Sequence, residues 1–151
     1  METLLKRYPD CKIIYVVRDP LEAIPSGMSL ITGVLERGYD MFNTTRIEDR
    51  ERYLENLYQA SCHFYRTFKE TKDSGMIPDQ NLRIVTYPQL MQDLEGTMEG
   101  LVAFAEDNPS PEFWQKVKEQ AEKQRQYRSE HHYSLEKFGL SEERVRQDLD
   151  F

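Results

Sequence analysis

The chain has 151 residues, carries a formal net charge of -7 and contains two cysteines. Its length suits a single domain with a core, or a large piece of one. The acidic balance argues against nonspecific nucleic-acid binding, which needs a basic face, and two cysteines do not suggest a disulfide scaffold, so Cys11 and Cys62 are expected as reduced thiols.

The first segment carries Leu4, Leu5 and Tyr8 at helical spacing, and Pro9 stops it. Lys12–Val17 is a near-continuous Ile/Val/Tyr run, the pattern of a strand covered on both faces. Asp19 is an N-cap candidate, Pro20 fits the first helical position and Glu22 completes a capping box. That helix is expected to reach Leu35 or Glu36, with Gly38 as its stop and a kink or loosened turn at Pro25. Residues 39–48 read as a loop, and the Asn43-Thr44-Thr45 triplet within it carries little weight as a glycosylation signal.

Leu54, Leu57, Tyr58, Ser61, Cys62, Tyr65 and Phe68 then mark an amphipathic helix from about Glu48 to Lys72. Asp73-Ser74-Gly75 ends it, and Pro78-Asp79-Gln80 makes a second turn. Leu82–Thr86 is a short strand closed by Tyr87 and Pro88, and one further helix carries Leu90, Leu94, Met98, Leu101, Val102 and Ala105. Asp107-Asn108-Pro109 breaks it, and Ser110-Pro111 starts a helix in which Phe113 and Trp114 are expected in the core. Residues 116–130 read as a solvated helix, His132–Leu140 as irregular chain, and Ser141 as the cap of a last short helix. The longest apolar run, Ile13 to Val17, is far too short to span a bilayer.

Two strands separated by helices indicate a parallel α/β arrangement, and a finished sheet of this type needs more strands than two. Ligands in open α/β sheets bind beyond the carboxyl ends of the strands. Arg18 stands at that position on the first strand and Tyr87 on the second, with Ser26 eight residues after Arg18. A planar guanidinium fork and a hydroxyl suit phosphate oxygens. The alternatives stay open: Arg18 can pair with Asp19 or another carboxylate, and Ser26 can bond back to a helix carbonyl. His63 reads as a surface histidine, and His131 and His132 as solvated or locally bonded tail residues. No His/Cys cluster has metal-ligand spacing.

PDCKIIYVVRDPLEAIPS resembles the 3′-phosphate-binding segment of the sulfotransferase family, in which a strand ends in Arg and a Ser follows eight residues later. LRIVTYPQLMQDLEGTMEGLVAFA resembles a later strand and helix of that family, and HHYSLEKFGLSEERV its carboxyl-terminal segment in the bacterial-type branch. The resemblance implies a P-loop-like α/β fold and a sulfuryl donor, 3′-phosphoadenosine 5′-phosphosulfate (PAPS). It also implies a small-molecule or glycan acceptor with a hydroxyl or amine, and no metal. Arg18 and Ser26 would hold the 3′-phosphate and Tyr87 would lie near the nucleotide, with the tail from Arg128 to Ser134 closing over the donor. The family's glycine-rich 5′-phosphosulfate loop has no counterpart here, Glu22 replaces the usual Asp or Lys, and Pro25 precedes the serine. The chain is therefore expected to be the carboxyl-terminal portion of one sulfotransferase domain, residues 1–151, with the catalytic residues unassigned. A cytoplasmic location is expected, or the Golgi lumen if a longer precursor carries an anchor. The rival expectations are a P-loop kinase-like phosphotransferase fragment and a degenerate interaction module forming a homo-oligomer.

Overall fold

The computed structural model describes residues 2–126 and 134–150. The chain folds as two compact units, Met1–Arg18 with Thr71–Glu130 and Asp19–Glu70 with His131–Phe151.

In the first unit, α1 (Glu2–Arg7) precedes strand β1 (Ile13–Val17), which pairs in parallel with β2 (Leu82–Thr86). The register runs from Ile13 opposite Leu82 to Val17 opposite Thr86. The turns that feed the two strands are tied together: the side-chain amide of buried Asn81 donates to the Pro9 carbonyl at 2.9 Å. After β2 come α5 (Tyr87–Gln92), α6 (Leu94–Ala105) and α7 (Pro111–Gln126). The single helix expected after β2 is thus two. Asp93 leaves helical geometry (φ -142°, ψ 79°), and its carboxylate accepts from the Gly96 amide at 2.9 Å, so it caps α6. A leucine-rich periodicity that runs straight through Asp93 concealed this break. Gln124 of α7 donates to the Leu90 and Met91 carbonyls at 2.8 and 3.0 Å, satisfying last-turn acceptors of α5. Phe113 and Trp114 meet edge to face at 5.2 Å but are half-buried rather than central to the core.

The expectation of a first strand covered on both faces is corrected. Ile13, Tyr15 and Val17 are half-buried, whereas Ile14 and Val16 are 43% and 53% exposed. An apolar run does not by itself distinguish a strand with two covered faces from one with an open face.

In the second unit, α2 (Pro20–Tyr39) starts at the Asp19 cap, whose carboxylate accepts from the Leu21 amide at 2.8 Å. The helix runs without interruption through Pro25 and past Gly38, and ends at Asp40 in the left-handed region (φ 50°). Gly38 was expected to be the stop; a glycine inside a helix costs only about 1 kcal/mol relative to alanine, and here the chain continues through it. The expected loop also contains a short helix, α3 (Met41–Thr44), with Met41 buried. The long helix α4 (Ile47–Asp73) has Tyr58 and Cys62 fully buried on the anticipated stripe.

The tail is more than irregular chain. Leu135 and Leu140 bracket a 3₁₀ turn, Glu136–Phe138, closed by Gly139 at φ 69°, where a side chain would be strained. α8 (Glu142–Leu149) follows, with the Ser141 hydroxyl accepting from the Arg144 amide at 3.1 Å. Leu135, Leu140, Val145 and Leu149 form one buried cluster with Ile24, Met28, Tyr58 and Cys62. Both cysteines are free thiols. Among the described residues no helix is long and apolar enough to cross a membrane.

Candidate nucleotide-phosphate site

Arg18 and Tyr87 are the residues that follow Val17 and Thr86, the last paired positions of the ladder. The parallel register therefore delivers them side by side at the carboxyl end of the sheet. The Arg18 guanidinium carbon lies 4.7 Å from the centre of the Tyr87 ring. Such a cation–π contact is worth about 0.5–1 kcal/mol near solvent. It engages the face of the guanidinium, whereas the in-plane N–H fork is the part that recognises phosphate or carboxylate oxygens.

Tyr87 is held by a local device that the sequence reading missed. The Thr86 hydroxyl accepts from the Gln89 amide at 3.3 Å, and the Gln89 side chain accepts from the Thr86 amide at 2.9 Å. This capping box makes Tyr87 the first residue of α5. Its signal, Thr86-x-x-Gln89, is visible in the sequence but was obscured by reading Tyr87 and Pro88 only as the end of a strand.

Ser26 belongs to the second unit. It sits half-buried in the second turn of α2, flanked by buried Ile24, Pro25 and Met28. Elsewhere in this unit Thr32 and Ser61 bond back to the Met28 and Leu57 carbonyls at 2.7 and 2.9 Å, but Ser26 makes no such bond among the described residues. Glu22 adds a carboxylate to the first turn of α2, which opposes an anion there.

His63 is exposed on α4, with its Nε2 3.5 Å from the Thr67 hydroxyl, as expected of a surface histidine. His131, His132 and the tail segment from Arg128 to Tyr133 lie outside the described residues. A groove of about 460 Å³ in the first unit is lined by Arg83, Gln92, Thr97 and Gly100 among others, and its lining includes neither Arg18 nor Tyr87. The second unit has an apolar groove of about 330 Å³ between Ala23–Ile24 and Phe64–Tyr65. Among the described residues no group of three or more His, Cys, Asp or Glu is arranged to hold a metal ion.

A parallel strand pair, with an arginine stacked on a tyrosine ring just beyond the strands' carboxyl ends, defines an α/β protein. Residues 1–108 match the profile of the sulfotransferase family, and the chain belongs to that family. No curated protein and no solved structure matches the chain.

Proposed function

We propose that the chain acts in sulfuryl transfer as one sulfotransferase domain, supplying the side of the site that holds the 3′-phosphate of PAPS. The carrying observation is the Arg18–Tyr87 stack at the carboxyl end of two paired parallel strands, inside the family-matched residues. When bound, PAPS supplies a sulfuryl group that passes to the hydroxyl or amine of an acceptor as its bond to the phosphate oxygen breaks.

The residues of this chain do the binding and orienting. Arg18 offers charge-assisted hydrogen bonds to the 3′-phosphate, each worth about 1.5–3 kcal/mol. Tyr87 fixes the plane of that guanidinium and lines the nucleotide. Ser26 donates its hydroxyl, a role supported by its place eight residues after Arg18 in the segment that resembles the family's 3′-phosphate-binding stretch. No base or bridging-oxygen cation is assigned.

Calorimetry with adenosine 3′,5′-bisphosphate, the desulfated product, tests the reading. Saturable one-to-one binding that Arg18→Ala weakens supports it; affinity unchanged in Arg18→Ala, or no binding by the parent chain, overturns it. ATP as competitor separates this reading from a kinase-like phosphotransferase, which would favour ATP. A second reading, an interaction module, draws on the exposed Ile14 and Val16 of β1. It requires a stable oligomer by light scattering and no bisphosphate binding.

A further inference from the structure

The family match ends at residue 108, yet residues beyond it complete the core of the unit that carries Ser26. Val145 and Leu149 of α8 share that core with Ile24 and Met28 of α2, and Ser26 stands between those two residues. A specific polar set fastens α8 to α4. The Tyr58 hydroxyl donates to Asp148 Oδ2 at 2.7 Å. The Arg144 guanidinium lies 4.7 Å from the Tyr58 ring centre and reaches Glu55 Oε1 at 2.6 Å. Its Nε is also 3.6 Å from Asp148 Oδ2.

Tyr58 has no solvent exposure, so its hydroxyl needs a protein partner. That partner is on α8. Docking of α8 and satisfied burial of Tyr58 therefore go together, and the apolar side of the docked helix completes the core beneath the second turn of α2.

We propose that α8 is a positioning clamp for Ser26, with the Tyr58–Asp148 hydrogen bond as its catch. Ile24 and Met28 hold their turn only when Val145 and Leu149 are in place, and the hydroxyl between them inherits that order. Tyr58, Asp148 and Arg144 are positioning residues that act on the ligand through Ser26. The inference rests on the reading of Ser26 as part of the donor site.

The test is a double-mutant cycle on adenosine 3′,5′-bisphosphate affinity, measured by calorimetry on the parent chain, Ser26→Ala, Tyr58→Phe and the double variant. Each single change is expected to weaken binding by about three- to tenfold. The double variant is expected to bind no worse than Ser26→Ala alone, because both changes remove one effect. Asp148→Ala, at a position outside the core, should reproduce Tyr58→Phe, and Asp148→Asn, which keeps an acceptor, should restore affinity. It serves as the alternative route if Tyr58→Phe does not fold in a urea titration. Additive losses, or parent affinity in both Tyr58→Phe and Asp148→Ala, overturn the clamp and leave the proposed function standing. Parent affinity in Ser26→Ala overturns the assignment of Ser26 and the clamp with it.

Discussion

The guanidinium of Arg18 stacks 4.7 Å from the ring centre of Tyr87, across a ladder whose last paired residues are Val17 and Thr86. Neither residue needs a long-range loop to reach the other. The strand register alone makes them neighbours, and the Thr86 capping box turns the chain into α5 at that point. Arg18 directly follows the last residue of β1, and Tyr87 is the first residue of α5.

Arg18→Ala should weaken adenosine 3′,5′-bisphosphate binding by about ten- to a hundredfold, the loss of one or two charge-assisted hydrogen bonds. Arg18→Lys should recover only part of this, because an ammonium lacks the planar fork. Tyr87→Leu keeps apolar bulk but removes the ring face, and should cost about two- to fivefold. Calorimetry reads all three. A larger loss in Tyr87→Leu than in Arg18→Ala would reverse the roles of the two residues.

Thr86→Ala removes the reciprocal cap at the start of α5, and should lower unfolding free energy by about 0.5–2 kcal/mol. A urea titration measures this as a lower midpoint with unchanged slope. Because the cap also sets Tyr87, the same variant should weaken bisphosphate binding.

Local chemistry was legible in the sequence where a side chain reports on its own backbone. Asp19 and Ser141 cap the helices expected of them, and the 54–68 stripe buries Tyr58 and Cys62. Legibility failed where two local signals compete. The leucine periodicity outweighed Asp93, and Gly38 was given more stopping power than a glycine inside a good helix has. It failed again where the outcome depends on distant chain. Nothing near Leu135 or Leu140 shows that they enter a core with Ile24, and nothing near Ile14 shows that its face stays open. The site was half legible. Arg18 and Tyr87 were each placed at a strand end, but their stack needs the pairing of residues far apart in the chain.

Acid should loosen the second unit through Glu55. Hydrogen bonds from Gln59 and then Arg144, together with the Arg144 charge, hold its carboxyl below the ordinary glutamate value. The folded state thus binds that proton more weakly than the unfolded chain does, so the stabilisation is complete above the unfolded glutamate pKa. It is lost as pH falls through the lower folded value. Nearby Asp148 opposes the shift, and the half-exposed setting of the pair keeps its contribution small. Melting temperatures followed from neutral pH down through the carboxylate range should fall less steeply in Glu55→Gln than in the parent. Parallel curves would remove Glu55 from the acid response.

Met28 and Leu30 stand two residues apart on α2 and separate the two faces of that helix. Met28 is 1% exposed within the shared core, and Leu30 is 68% exposed. Met28→Ala should cost about 2–5 kcal/mol, the lost transfer energy plus the cavity left among Tyr58, Cys62 and Val145. Leu30→Ala should change stability by no more than about 0.5 kcal/mol, because its side chain gains little from folding. Urea titration of both variants checks the assignment of faces. If Leu30→Ala instead proves strongly destabilising, the outer face of α2 is covered in solution, and the concentration dependence of that loss tells whether a second copy of the chain covers it.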